Sequence, residues 1–199
     1  MEAGLPLKMD ELKKIKEEVL ACRKCPLSRY RKENGYCPVI GEGSHSADII
    51  FIGEAPGLNE AKTGRPFCGA AGRVLDELLA SIGIERSDIY ITNLLKDRPP
   101  ENRNPKPEEI EACTPYLDKQ IKAIKPKVVC TLGNFSTSYI FEKYGLKDEI
   151  RGISKIKGRM FKTDSFVLIP LYHPAVAVYN ANMKEALKRD FKILKKFLS

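Results

Sequence analysis

Apolar residues gather in four short segments of this chain, Asp48–Gly53, Asp88–Asn93, Lys127–Leu132 and Phe166–Leu171. Each has the length of a strand. The first, Ile49-Ile-Phe-Ile, shows no polar alternation, as expected of a parallel strand covered on both faces. Around them, apolar positions recur at helical spacing over Asp10–Leu20, Gly72–Ile82, Pro107–Ile124, Phe135–Tyr144 and Asn182–Leu198. Pro107 followed by Glu108 and Glu109 is a helix start, because proline fits the first turn and acids suit its positive end. Strands alternating with helices predict an α/β fold, a parallel sheet with helices on both faces. Lys155–Phe161, which contains Gly158, is expected as a short extra strand beside the last one. No internal repeat or low-complexity segment divides the chain, and 199 residues suit one domain spanning 1–199.

Three polar segments follow strands. Residues 53–72 hold five glycines, two prolines, the carboxylates Glu54 and Glu60, and Phe67. Glycine lets a backbone approach a ligand, proline stiffens that approach, and a phenylalanine offers a flat face to a ring. Asn93–Arg103 follows the second strand and His173–Asn180 the fourth. All three lie at carboxyl ends of strands, so a parallel sheet would bring them to one rim, where open α/β sheets bind ligands.

The chain carries 34 Lys and Arg against 26 Asp and Glu, a net charge of +8 that suits a polyanionic partner. No apolar run is long enough to span a bilayer and nothing near the start looks like a signal peptide, so a soluble cytoplasmic protein is expected. Six cysteines in such a chain point to metal binding or buried thiols rather than disulfides.

The first segment reads G-E-A-P-G-L-N-E and then G-R-P-F-C-G-A-A-G. The second reads Thr92-Asn-Leu-Leu-Lys-Asp-Arg-Pro-Pro-Glu-Asn-Arg-Asn-Pro105, and the third contains His173-Pro-Ala175. Together they resemble, in order and spacing, the motifs of the family 4 uracil-DNA glycosylases. The resemblance runs from about Leu12 to Leu198. It implies a three-layer α/β/α sandwich with a four-stranded central sheet. It also implies excision of uracil from DNA to leave an abasic site, and a 4Fe–4S cluster. A monomer is expected, with uracil-containing DNA as partner and repair or replication proteins as further candidates.

Breaking the C1′–N bond builds oxocarbenium character on the sugar and negative charge on the base. The resemblance places Glu54 at the sugar side and makes His173 the donor to uracil O2. The base must leave the stack to reach such a pocket. Phe67 can stack on it, Asn93 can read N3 and O4, and Glu60 can crowd the 5-position. Gly53, Ala55 and Pro56 complete the substrate loop. Lys96, Arg98 and Arg103 are expected at DNA phosphates, and Val178 or Tyr179 as a wedge filling the vacated stack.

Cys22-Arg-Lys-Cys25 and Cys113 match three of the family's four cluster thiolates. The fourth position holds Asp97. A carboxylate is a harder ligand than a thiolate. Ligation by Asp97, a swing by Cys37, or a labile fourth iron all satisfy the sequence, and zinc with mixed ligands is a further reading. Cys130 and Cys68 are expected as packing thiols. Two rivals to a glycosylase are a uracil-DNA binder without turnover and a non-enzymatic DNA-binding module. Relatives of the first kind carry glutamine in the first motif, where this chain has Ala55.

Overall fold

The computed structural model describes residues 4–197, with side chains from Met9 onward. Six strands form one mixed sheet: β1 Glu42–Gly43, β2 Ile49–Gly53, β3 Tyr90–Asn93, β4 Val128–Leu132, β5 Phe161–Lys162 and β6 Val167–Leu171. Their order is β1-β3-β2-β4-β6-β5. The central four are parallel, as expected, with Gly53 beside Asn93 and Leu132 beside Leu171. The outer two are short and antiparallel. The extra strand is thus Phe161–Lys162. Residues Ile153–Ile156 form a helical turn instead.

Alternate residues of each central strand face opposite layers. Ile50, Ile52, Val129 and Leu168 pack with Leu12, Leu117, Ile121 and Phe141. These come from helices α1 Gly4–Ala21, α5 Pro107–Ile124 and α6 Asn134–Lys143; α2 is Pro26–Glu33, α3 Leu58–Thr63 and α4 Ala70–Ala80. Phe51, Ile91, Cys130 and Ile169 pack on the other face with Leu75 and Leu78 of α4, and with Leu187 and Phe191. The last two belong to α9, Met183–Phe191; α7 is Ile153–Ile156 and α8 Ala175–Tyr179. Burial on both faces explains why the strands read as apolar runs. Each fully buried Leu, Ile or Phe is worth about 1.5–3 kcal/mol.

Helix α5 has the expected bounds, and Glu109 caps its start by accepting the Lys106 N–H. The last expected helix breaks into α9 and a 3₁₀ segment, Lys192–Phe197, and its end at Leu198 lies outside the described residues. Pro170 sits inside β6, although proline cannot donate to a ladder. It is tolerated because β5 pairs only as far as Leu168, and the Pro170 carbonyl accepts the Gly158 N–H instead.

Candidate active site

The carboxyl ends of β2, β3 and β6 open onto one cleft of about 400 Å³, lined by residues of all three polar segments. Gly53 ends β2 beside Asn93 at the end of β3. A Cβ on Gly53 would lie 2.3 Å from Asn93 Oδ1 and 2.7 Å from the Phe67 ring. Only glycine therefore allows the amide and the ring to close over this strand end. The Asn93 side chain has no hydrogen-bond partner among the described residues, although the residue is 2% exposed. Its amide is held ready for a ligand.

Phe67 has a left-handed backbone, φ 49°, which is strained for any residue with a Cβ. Three features hold it there. Arg86 donates to the carbonyls of Pro66 and Phe67 at 2.8 and 3.2 Å. The Glu60 Oε1 accepts the N–H groups of Cys68 and Gly69 at 3.0 and 2.9 Å. Gly72 admits the Phe67 carbonyl to a place where a Cβ would sit 1.9 Å away. Glu60 lines the cleft as expected, with one of its oxygens committed to shaping the loop. Arg86 was not legible in the sequence. It stands outside every motif, in the turn before β3, and pairs with Asp76 as well.

His173 lies in the cleft with its ring 5.4 Å from that of Phe67, the planes 29° apart. Its Nδ1 accepts the Ala175 N–H at 3.2 Å. An accepting Nδ1 carries no proton, so in the neutral ring the hydrogen is on Nε2. Burial pushes the His173 pKa down to about 4, against the opposing charge of Glu60. The imidazole is thus a neutral donor near pH 7. Glu54 has no partner for its carboxylate among the described residues, and burial holds its pKa above the usual glutamate range. Ala55, Pro56 and Gly57 complete this wall.

The opposite wall comes from the loop after β3, with Pro99, Asn102 and Arg103. Glu101 and Asn102 both have left-handed backbones. Asn102 lines this wall too, although as sequence an asparagine in a turn has an ordinary local explanation. Arg103 reaches the cleft, but its guanidinium is paired with the buried Glu109 at 2.5 and 2.9 Å. Arg98 is half-buried over the Tyr36 ring and donates to Asn102 Oδ1. Val178 and Tyr179 are 45% and 89% exposed on α8, which follows His173.

Lys96 corrects one expectation. It is 1% exposed and cannot reach a phosphate. Its ammonium donates to Thr92 Oγ1, Asn93 O and Gln120 Oε1, each at 2.8 Å. Burial lowers its pKa to about 7.

Cys22, Cys25 and Cys113 lie in a corner that packs behind Ala55 of the cleft wall. Cys113 lies beside Cys25 and lowers its pKa to about 7, and Cys22 lies beside Tyr116, one turn beyond Cys113 on α5. Leu27, Leu95 and Ile110 surround this corner. Asp97, beside Cys25, is buried and accepts two hydrogen bonds from Arg31 at 2.9 and 3.2 Å. Arg31 also donates to the carbonyls of Val19, Leu20 and Cys22. Cys37 is exposed, with its Cβ close to Gly64. Among the described residues no three His, Cys, Asp or Glu side chains converge tightly enough to hold a metal ion. Of the four positions in question, three offer the thiol chemistry that a thiophilic group takes, without gathering around one point. At the fourth, the carboxylate is already matched by a guanidinium.

Residues 40–195 match the model of the uracil DNA glycosylase superfamily. The type-4 uracil-DNA glycosylase of Sulfurisphaera tokodaii is 49% identical over 92% of this chain and 83% of its own length. That of Saccharolobus solfataricus is 45% identical, over 96% and 88%. That of Archaeoglobus fulgidus is 44% identical, over 92% of each. The match takes in β2, β3, β4 and β6 and every residue of the cleft wall described above, so the fold and the rim it builds are those of a shared lineage: the chain belongs to the uracil DNA glycosylase superfamily.

Proposed function

We propose that this protein is a monofunctional uracil-DNA glycosylase, which hydrolyses the N-glycosidic bond of uracil in DNA and leaves an abasic site. One observation carries the reading: three groups with complementary tasks share one cleft and have no competing partner for the atoms the reaction needs. The Asn93 amide can accept from uracil N3–H and donate to O4, a pattern cytosine does not match. The neutral His173 can donate from Nε2 to O2, where charge develops as the base leaves; a fixed donor at such a place is worth about 10²–10³-fold in rate. The Glu54 carboxylate supplies negative charge and a proton acceptor for water on the sugar side. The free face of Phe67 completes the slot for a flipped base. Tyr179 and Val178 would fill the vacated stack, with Arg98 and Arg103 at phosphates along the rim.

Cys22, Cys25 and Cys113 would hold an iron–sulfur cluster, which is structural because hydrolysing the glycosidic bond needs no redox step, and which would join the start of α2 to α5. The Asp97–Arg31 pair favours a cluster with three protein thiolates over ligation by Asp97.

The test is incubation of the purified protein with a uracil-containing duplex, followed by alkaline cleavage at any abasic site. Free uracil, and strand breaks only after alkali, are expected. Failure to release uracil from single- or double-stranded substrate overturns the reading, as does a borohydride-trapped covalent adduct.

A further inference from the structure

The Asn93 carbonyl has no strand to receive it. Strand β1 pairs with β3 only at Tyr90 and Ile91, and stops two residues short. On the other side, Leu94 and Leu95 extend the ladder by donating to the carbonyls of Gly53 and Glu54. A buried carbonyl left unpaired here would be costly and free to tilt. The Lys96 ammonium takes the place of the missing strand and binds Asn93 O at 2.8 Å.

The lysine is itself immobilised. Its three donors are all used, the other two on Thr92 Oγ1 and Gln120 Oε1. Gln120 is held in turn by donating to Ile40 O at 2.9 Å and Tyr90 Oη at 3.1 Å. Thr92 Oγ1 donates to the same Ile40 carbonyl. The Lys96 main chain is tied down as well, because its carbonyl accepts the Val39 N–H at 2.7 Å. A buried polar network rigidifies its surroundings when its members are satisfied, and each side chain of this one has at least one partner.

We propose that Lys96 is a positioning residue for base recognition: by clamping the Asn93 carbonyl it fixes where the Asn93 amide stands in the cleft. The inference rests on reading Asn93 as the group that recognises uracil. It gives Lys96 an interior task in place of a phosphate contact. Misplacing a recognition group by about 1 Å can cost on the order of 10²-fold.

The test measures competitive inhibition by free uracil together with affinity for an abasic duplex, in Lys96→Met and Thr92→Val. Lys96→Met should raise the uracil inhibition constant about 10²-fold. Its affinity for the abasic duplex, and the salt dependence of that affinity, should stay unchanged. Thr92→Val removes one of the three anchors and should raise the same constant at least roughly tenfold, the worth of one hydrogen bond to a charged group. It also decides the matter if Lys96→Met does not fold. Ile140→Ala, in the same core layer but outside the network, should lower stability and leave uracil inhibition alone. A phosphate role would instead weaken duplex binding and lower the salt slope by about 0.9. A purely structural role would make Ile140→Ala and Thr92→Val behave alike; either result overturns the proposal. Asn93→Ala separates the two readings. If it leaves uracil inhibition intact, the reading of Asn93 fails; if it raises the constant while Thr92→Val and Lys96→Met do not, only the clamp fails.

Discussion

Phe67 and His173 lie ring against ring, 5.4 Å between centroids, although 106 residues of chain separate them (173 − 67). Each limits the other's rotation, and each comes to the contact already fixed. Phe67 is held in a left-handed backbone by Arg86, and His173 by the Ala175 N–H on its Nδ1. The contact thus holds ring and imidazole in one fixed arrangement on the cleft wall.

Arg86 joins this contact to the rest of the fold. Replacing it by methionine leaves the Pro66 and Phe67 carbonyls without their donor. We expect a stability loss of about 1–3 kcal/mol in urea unfolding. A raised KM for uracil-containing DNA should accompany it, with affinity for an abasic duplex unaltered.

The pH dependence has a definite sign. Glu54 has a raised pKa and must be ionised to act, so kcat should fall toward acid along one limb lying above the ordinary glutamate value of 4.5. His173, at about 4, stays neutral throughout that limb and adds nothing to it. Glu54→Gln should abolish the limb along with most of the rate, whereas His173→Gln should lower the rate and keep the limb. A limb that survives Glu54→Gln would exclude Glu54 as the titrating group.

The same shift is a stability statement. Because the folded pKa of Glu54 lies above its unfolded value, the native state binds more protons between the two, and ionisation at neutral pH destabilises it. Glu54→Gln removes that burden. Its thermal midpoint should exceed the wild-type value at pH 7, with the advantage shrinking as pH falls through the Glu54 pKa. Equal midpoints at pH 7 would mean that the carboxylate is not held at a cost.

Gly53→Ala adds one methyl group, aimed at Asn93 Oδ1 and Phe67. The strand itself accepts alanine. We therefore expect a folded protein that has lost on the order of 10²-fold in kcat/KM, seen by circular dichroism alongside steady-state uracil release.

Arg31→Met leaves the Asp97 carboxylate buried and unpaired, and should cost roughly 3–5 kcal/mol. Arg31→Met combined with Asp97→Leu should recover much of that loss, because no charge is then stranded. Brown colour in purified protein should depend on Cys22, Cys25 and Cys113 and survive Asp97→Asn. Colour lost with Asp97→Asn alone would return the fourth-ligand role to Asp97.

The run of apolar segments determined the four central strands and the layers over them, since burial on both faces can be written only as continuous hydrophobic sequence. Motif spacing likewise placed Glu54, Phe67, Asn93 and His173 on one rim, because a parallel sheet sends every strand end the same way. Pairing partners are a different kind of information. Lys96, Arg98 and Arg103 are equivalent basic residues in one loop when read as sequence. Only the tertiary structure buries the first against Gln120, stacks the second on Tyr36 and pairs the third with Glu109. Asp97 reads as a ligand by position, and only the fold brings Arg31, 66 residues away, to its oxygens. A periodic pattern records which side of an element is buried, but it does not record which distant charge will be waiting there.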